Sequence, residues 1–505
     1  MEDTQSFVLH VDDYALWAFL GYLLLIVTVG ILAAGFSSKG IRNFFIGGRK
    51  MSMLVVALSA VVSGRSAWLL LGFTGLAYTM GLSALWAALG YIVAEFFLFF
   101  YYAPRIRRFS ENRDCITIPD FFEERFADHS GQIRTLVAVI IVLFMMAYVS
   151  AQFVAGGKTF SASFQISQEQ GLVLTAVIIL FYTLVGGFLA VSLTDTIQGL
   201  IMIIALIALP AIAIIHLGGF SAFWQQAALI TQPLAFTNVF ALTMGALIGF
   251  VGIGLGSVGN PHIIARYMSI KSTRKLKMTA WVGTLANILM ALGALFTGMA
   301  GRIYFPDLAM LPGSDAENLY PTLASQHLHP IMFGIVIASI FAAIMSTADS
   351  QLLVAASAMV RDLYQRLWKR NVQISDKKLV ALSRWFVLVL VAVALLLGFM
   401  AEQLVFWLVL FAWAGLGAAF GPTSLLALFW KGTTKPGIMA GIIIGASTVI
   451  VWNRIACLKE FIYELVPAFI LAFVVTWLVS LFTKPPDNNQ ELFKQLLEDN
   501  SDNTP

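Results

Sequence analysis

About thirteen stretches of this chain are apolar and long enough to cross a lipid bilayer as helices. They cover roughly residues 13–35, 51–80, 82–104, 135–160, 168–188, 190–217, 235–262, 276–303, 329–360, 379–400, 403–430, 436–453 and 461–483. Backbone polar groups must find partners inside lipid, so each span is expected to be helical. Hydrophobic residues make up 59% of the 505 residues and charged residues only 11%, which indicates an all-α polytopic membrane protein rather than a soluble one.

Basic residues lie almost entirely on one side of these spans. Of the 31 Lys and Arg residues, 26 fall in the loops after spans one, three, seven, nine and eleven or beyond the last span. The exceptions are Lys158, Arg302, Arg454 and Lys459 on the other side and Arg65 within a span. Because cytoplasmic loops are enriched in positive charge, we expect a multi-pass protein of the plasma membrane with its N-terminus outside and its C-terminus in the cytoplasm.

The second span is interrupted by polar residues at its centre, namely Ser63, Gly64, Arg65 and Ser66. One explanation is a kinked helix in which Arg65 forms a structural ion pair. The other is a broken helix whose freed carbonyls hold a cation beside a solute. Residues 249–260 are a second such stretch, rich in glycine and followed by Pro261. Two interrupted spans in corresponding halves are typical of a transporter binding site, which favours the broken helix.

Span nine carries polar residues that share a helical face. Ala343, Ser346, Thr347 and Ser350 lie on that face, and Asp349 lies beside Ser346 at a spacing of three residues. Hydroxyl and carboxylate oxygens are the ligands that a small, hard cation prefers. The alternative is a polar stripe that hydrogen-bonds to neighbouring helices. The carboxylate favours the cation site, because helix association rarely requires one.

Three more polar positions within the spans have two interpretations each. Asp195, near the inner end of span six, either caps a helix start or serves as a station for the cation. Glu95, deep in span three, either neutralises Arg65 or makes a structural hydrogen bond to another helix, and the latter is favoured. Tyr148 and Gln152 on span four either pack against neighbours or point into a central cavity.

Several classes of function are excluded by motifs that the sequence lacks. It has no Gly-x-x-x-x-Gly-Lys loop for a nucleotide and no Cys/His cluster with metal-ligand spacing. The two cysteines, Cys115 and Cys457, are expected on opposite sides of the membrane, which argues against a disulfide. We therefore expect neither an enzyme nor a nucleic-acid partner, and no cofactor apart from a coupling ion.

A set of short segments resembles one transporter family. They are Phe-Ile-Gly-Gly-Arg at 45–49, Ala-Trp-Leu-Leu-Leu-Gly at 67–72, Gly-Gly-Phe-Leu-Ala-Val-Ser-Leu-Thr-Asp-Thr at 186–196, Pro-His-Ile-Ile-Ala-Arg-Tyr-Met at 261–268, Ala-Ile-Met-Ser-Thr at 343–347 and Ala-Trp-Ala-Gly-Leu-Gly-Ala-Ala-Phe-Gly-Pro at 412–422. The chain resembles the sodium:solute symporter family, and its sodium/proline symporter branch most, from about Tyr14 to Lys484.

The resemblance implies a LeuT-type five-plus-five inverted repeat with broken helices. Residues 1–50 would hold the outside N-terminus, an additional helix and a basic loop. Residues 51–217 and 218–430 would be the two repeats, 431–484 two further helices, and 485–505 an acidic cytoplasmic tail.

The resemblance also implies residue roles. The sodium ligands would be the carbonyls of Val62, Arg65 and Ala343 and the hydroxyls of Ser346 and Thr347. A second sodium or coupling site would use Asp195, Ser346, Asp349 and Ser350. The solute would meet Ser63, Gly64, Arg65, Ser66, Trp68, Tyr148, Gln152 and Ser257.

Four positions depart from the proline-symporter pattern. Gly64 stands where those proteins have aspartate, Arg65 where they have methionine, and Ile253 and Ser257 where they have tryptophan and tyrosine. The sequence therefore predicts a sodium-coupled symporter that imports a small solute by alternating access. Proline or a related amino acid is the leading solute. Another organic carboxylate, gripped by Arg65, is the alternative, as is a transporter-like solute sensor.

Overall fold

The computed structural model describes residues 13–37, 40–185, 187–231, 235–369, 372–401 and 404–498, and in these ranges the chain is helical and forms no β-sheet. Its helices are α1 Asp13–Ser37, α2 Ile41–Ile46, α3 Met53–Ala67, α4 Thr74–Met80, α5 Leu85–Phe97, α6 Ala103–Asn112, α7 Ile118–Arg125, α8 Gln132–Phe164, α9 Gln168–Val185, α10 Phe188–His216, α11 Phe220–Leu229, α12 Met244–Gly252, α13 Pro261–Ser269, α14 Leu276–Tyr304, α15 Leu319–His327, α16 Pro330–Ser357, α17 Asp376–Phe399, α18 Val405–Phe429, α19 Lys435–Arg454, α20 Ala456–Phe461, α21 Leu465–Leu481 and α22 Asn489–Lys494.

The predicted membrane spans coincide with these helices. Within the described ranges, nine helical runs are each long and apolar enough to cross a bilayer, and ten if the bent α12–α13 pair counts as one span. One run, 53–112, holds two of the predicted spans, and α9 and α21 are shorter apolar helices. The fold class is confirmed, while the total of thirteen spans stays a prediction. The predicted start of span seven at 235 is wrong, because α12 begins at Met244 after Thr243, whose hydroxyl accepts a hydrogen bond from the backbone N–H of Ala246.

The predicted break in the second span lies at Ser66. This residue has φ 51° and ψ −172°, which is far from helical geometry. A π-helical stretch, Trp68–Phe73, then leads into α4. Such a backbone costs on the order of 1–3 kcal/mol in a non-glycine residue, so it persists only where neighbours hold it. The Ser66 hydroxyl accepts a hydrogen bond from the N–H of Trp68 at 3.1 Å, and the Gln152 side chain accepts one from the N–H of Ala67, also at 3.1 Å.

The second predicted break separates α12 from α13. A 3₁₀ stretch, Ile253–Val258, follows α12, and the chain bends by 49° before α13 begins at Pro261. Glycine is required here because the 3₁₀ stretch crosses α5 with backbone against backbone. A Cβ on Gly254 would overlap the carbonyl oxygen of Gly90. The two breaks are brought together because α3 packs against α10, α13, α14 and α16.

The contact between Gly254 and Gly90 generates a stability prediction. Replacing Gly254 with Ala inserts a methyl group against backbone that cannot move aside, and we expect a loss of about 1–3 kcal/mol. Gly21 in α1 is the matched control, because a Cβ there meets nothing within 4 Å. Thermal unfolding of the detergent-purified variants should show a lower midpoint for Gly254→Ala and an unchanged one for Gly21→Ala. Equal midpoints for the two variants would contradict the close crossing.

Candidate functional site

The break in α3 faces the predicted hydroxyls of α16. The carbonyl of Ser63 accepts a hydrogen bond from the Thr347 hydroxyl at 3.1 Å and lies 3.2 Å from Nε2 of His262. The Ser346 hydroxyl donates to the carbonyl of Ala343 at 3.2 Å. All of these side chains are buried. The structure therefore gathers Ala343, Ser346 and Thr347 beside the turn of α3 that holds Val62 and Arg65, with the carbonyl of Ser63 facing Thr347.

Asp195 lies at the other edge of this oxygen cluster. Its side chain is fully buried, and its Oδ2 accepts hydrogen bonds from the hydroxyls of Ser59 at 2.6 Å and Ser63 at 3.2 Å. The capping interpretation is wrong, because α10 begins at Phe188, two turns earlier. Asp195 is instead an interior carboxylate that joins α10 to α3.

Arg266 is the principal residue of this region that the sequence did not predict as part of a site. Its side chain is 1% exposed, and Nη2 donates to Oδ2 of Asp195 at 3.1 Å and to the hydroxyl of Ser350. Nε donates to the Ser59 hydroxyl at 3.0 Å, and Nη1 to the carbonyl of His262 at 2.6 Å. The sequence placed Arg266 in a basic loop, whereas α13 extends the interrupted span and carries it inward.

The second predicted cation site is therefore bridged by a guanidinium. Arg266 contacts Asp195 and Ser350, and the Ser350 hydroxyl also donates to the carbonyl of Ser346 at 2.8 Å and to Oδ1 of Asp349 at 3.2 Å. Asp349 is fully buried, and its Oδ2 has no hydrogen-bond partner among the described residues. All four predicted members of this site lie together, with a cationic side chain among them.

A narrow pocket leads to this guanidinium from the basic end of the helix bundle. Arg266 and Ser350 are among its lining residues, together with Thr117 and Pro119 from the segment before and at the start of α7. Most of the other lining residues are apolar, so Arg266 and Ser350 are the polar groups that this pocket shares with the carboxylate cluster.

Arg65 pairs with Glu95. Its guanidinium forms an ion pair with Oε1 of Glu95 and lies 3.7 Å from the centroid of the Tyr91 ring. The carboxylate also accepts hydrogen bonds from the Ser257 hydroxyl at 3.1 Å and from Nδ2 of Asn287 at 2.8 Å. Glu95 thus does both things that the sequence suggested: it neutralises Arg65, and it accepts hydrogen bonds from other helices. Glu95 therefore links the two broken spans, because its partner Arg65 lies in one span and its partner Ser257 lies in the other.

Beside this pair is a small, narrow cavity. Its lining residues are Gly64, Arg65, Trp68, Tyr91, Tyr148, Ile253, Val409, Leu410 and Trp413. Of the residues predicted to meet the solute, Gly64, Arg65, Trp68 and Tyr148 line it. The other four, Ser63, Ser66, Gln152 and Ser257, make the hydrogen bonds that hold the break and Glu95.

Two aromatic rings that the sequence did not assign also line this cavity. Tyr91 lies one helical turn before Glu95 on α5, and Trp413 donates its Nε1 to the carbonyl of Ile253 at 2.8 Å. The signal for Trp413 was present: it lies within a run of mostly small residues on α18, from Ala412 to Ala419. Its role depends on α18 packing against the 3₁₀ stretch after α12, and this contact cannot be read from the sequence.

Comparison with known proteins identifies the family. The model of the sodium:solute symporter family matches residues 44–445. The chain is 39% identical over 453 residues to the high-affinity proline transporter PutP of Bacillus subtilis, which covers 89% of this chain and 94% of that protein. It is 37% identical over 474 residues to a sodium/proline symporter of Staphylococcus aureus, with 92% of each chain covered. The chain belongs to the sodium:solute symporter family.

Solved structures agree on the fold of this symporter. A Na⁺-coupled sialic acid symporter in a substrate-bound outward-open state aligns with a TM-score of 0.78 at 19% identity, covering 94% of this chain and 99% of that one. Mhp1, a nucleobase-cation-symport-1 family transporter, aligns with a TM-score of 0.51 at 12% identity, covering 91% and 99%. These neighbours have the LeuT-type fold, so the predicted architecture with broken helices is confirmed.

The ion pair between Arg65 and Glu95 gives a stability prediction for the symporter. Replacing Arg65 with Met leaves Glu95 as an uncompensated buried carboxylate, which costs about 3–5 kcal/mol, so the purified variant should have a much lower thermal unfolding midpoint. Replacing Glu95 with Gln in the same chain removes that charge and should recover most of the midpoint.

A double-mutant cycle of Arg65→Met and Glu95→Gln measures this coupling. The two single variants should each be less stable than the double variant. Additive losses would show that the two side chains do not depend on each other.

Proposed function

We propose that this symporter imports proline or a closely related amino acid together with sodium across the plasma membrane. The observation that carries the proposal is the arrangement around the α3 break. The hydroxyls and carbonyls of α3 and α16 gather on one side, and a small cavity lies on the other, lined by four aromatic side chains, Trp68, Tyr91, Tyr148 and Trp413. Relatives that are 37–39% identical are named as proline transporters, which supports the choice of solute.

Sodium would bind at the oxygen cluster between α3 and α16. The proposed ligands are the carbonyls of Val62, Arg65 and Ala343 and the hydroxyls of Ser346 and Thr347. Ser346 and Thr347 already hydrogen-bond to carbonyl oxygens at 3.2 and 3.1 Å, so their hydroxyl oxygens lie among the acceptors that a hard cation requires. All five ligands are neutral. Such a site would bind a single positive charge without holding it too tightly for release.

The second proposed cation-binding site would be shared with Arg266. Asp195 and Ser350 are occupied by its guanidinium, so a cation that enters there has to displace Arg266 or bind beside it at Asp349. We propose that Asp195 acts in coupling through this competition. Loss of the cation toward the pocket that reaches Arg266 from the basic end would let Arg266 return to the carboxylate.

Charge balance at the solute cavity favours a zwitterion. The positive charge of Arg65 is compensated by Glu95, so the pair brings little net charge to the cavity. An organic anion would add a buried negative charge that only the co-bound sodium could offset, which is costly. A zwitterionic amino acid brings no net charge. Among the described residues Nε of Arg65 has no hydrogen-bond partner, so it could donate to the carboxylate of such a solute.

Transport would follow alternating access between the two predicted repeats, 51–217 and 218–430. The N-terminus would lie outside and the C-terminus in the cytoplasm, as the basic loops indicate. Sodium would order the α3 break, the solute would bind beside it, and the repeats would rock to open toward the basic side. A membrane potential of 100 mV adds about 2.3 kcal/mol per transported charge.

Uptake into proteoliposomes tests the proposed solute. An inward sodium gradient should drive accumulation of radiolabelled proline, and a potassium gradient of the same size should not. A neutral zwitterion should compete with the label better than a dicarboxylate of similar size, because the Arg65 charge is already balanced. Preferential uptake of a dicarboxylate would support the alternative solute class. Binding of proline without any uptake would instead indicate a solute sensor.

The sodium ligands generate a separate prediction. Replacing Ser346 or Thr347 with Ala removes one proposed oxygen, so half-maximal proline uptake should require at least several-fold more sodium. Ser383→Ala on the neighbouring helix α17 is the matched control, because among the described residues its hydroxyl donates only to the carbonyl of Leu379 in its own helix. Sodium titrations of uptake, normalised to purified protein, provide the measurement. An unchanged sodium requirement in both variants would remove these residues from the site.

A further inference from the structure

The narrow cavity beside the buried ion pair of α3 and α5 has two chemically different walls. One wall comes from α18 and from the 3₁₀ stretch after α12, and its residues are Ile253, Val409, Leu410 and Trp413. Nε1 of Trp413 donates to the carbonyl of Ile253 at 2.8 Å, and the carbonyl of Leu410 accepts a hydrogen bond from the Tyr463 hydroxyl at 2.6 Å. These polar groups are already paired, so this wall offers a solute an apolar surface.

The opposite wall holds polar groups that are not paired. Arg65 and Trp68 at the α3 break and Tyr91 on α5 line it. In the described part of the chain, Nε of Arg65, Nε1 of Trp68 and the hydroxyl of Tyr91 have no hydrogen-bond partner. The three residues are only 1%, 4% and 0% exposed. A buried polar atom without a partner is costly, so three of them in one cavity wall indicate a ligand.

The three groups lie close together around the Tyr91 ring. The guanidinium carbon of Arg65 is 3.7 Å from the centroid of that ring, and the Trp68 ring meets it edge-on at a centroid distance of 6.0 Å. The N–H groups of Arg65 and Trp68 can only donate, and the Tyr91 hydroxyl can also donate. Three donors suit a group that is rich in acceptors. A carboxylate is such a group, because its two oxygens offer about four lone-pair sites.

We propose that Tyr91 determines solute specificity by donating its hydroxyl hydrogen, together with the N–H groups of Arg65 and Trp68, to the carboxylate of the solute. This role rests on the proposed function, in which the solute is an amino acid. The carboxylate faces α5, and the apolar ring or side chain of the amino acid faces α18. An analogue without the carboxylate leaves buried donors unpaired, and a site of this kind rejects such analogues strongly.

Packing alone is the competing role for Tyr91, because its ring contacts both Arg65 and Trp68. The substitution Tyr91→Phe separates the two roles, since it keeps the ring and removes only the hydroxyl. Tyr102→Phe is the matched control. Tyr102 lies further along the same helical run and is 1% exposed, and its hydroxyl also has no hydrogen-bond partner among the described residues. It is not one of the residues that line this cavity.

Competition against radiolabelled proline on the purified full-length protein, in saturating sodium, tests the proposal. The competitors are proline and prolinamide, which keeps the ring and the amine but lacks the carboxylate. The wild type should bind prolinamide far more weakly than proline. Tyr91→Phe should bind proline about tenfold more weakly than the wild type, as expected for a lost hydrogen bond to a charged group. Its affinity for prolinamide and its thermal unfolding midpoint should not fall.

The control and the two competitors decide between the roles. Tyr102→Phe should keep the wild-type affinity for both compounds. Unchanged proline affinity in Tyr91→Phe would overturn the proposal, because the hydroxyl would then not reach the carboxylate. An equal loss for proline and prolinamide would also overturn it, because the hydroxyl would then only support the shape of the cavity. A wild type that binds no proline would instead contradict the proposed solute, so the two proposals fail in different ways.

Discussion

The break of α3 at Ser66 is the constraint on which the rest of the site depends. In an unbroken helix the carbonyl of Ser63 would accept a hydrogen bond from the N–H of Ala67. Here the N–H of Ala67 donates a hydrogen bond to the side chain of Gln152 on α8. The carbonyl of Ser63 accepts one from the hydroxyl of Thr347 on α16 and lies close to the ring of His262 on α13. Lipid offers no partners for freed backbone groups, so these helices must supply them. The break thus fixes three distant helices around one point.

Two buried arginines define the electrical character of this centre. Arg65 is balanced by Glu95 beside the cavity, and Arg266 by Asp195 below the oxygen cluster. A guanidinium cannot release its proton, so each requires hydrogen-bond acceptors at membrane depth in every state. The upper pair leaves the cavity beside it close to neutral. The lower pair places a guanidinium among the residues of the proposed second cation site, so in that proposal a transported cation would compete with Arg266 for Asp195.

Several of these features could be predicted from the sequence because they depend on local composition. Long apolar runs require helices, a serine–glycine–arginine interruption requires a break, and the hydroxyls of Ser346 and Thr347 share a face by helical periodicity alone. The capping interpretation of Asp195 was wrong for a local reason: α10 starts at Gly187–Phe188, and the sequence pattern left that start ambiguous. The start of α12 was misplaced because residues 235–243 are apolar enough to resemble a span.

By itself the sequence determined the helical membrane fold, the two interruptions and the oxygen-bearing face of α16. Only the tertiary structure decided which groups meet. It selected Glu95 as the partner of Arg65, brought Arg266 onto Asp195, and placed Tyr91 and Trp413 around the cavity. The physical reason is that helical periodicity orients side chains within one helix, whereas ion pairs and cavities form between helices. Those contacts depend on packing angles and close glycine crossings that join residues far apart in the chain.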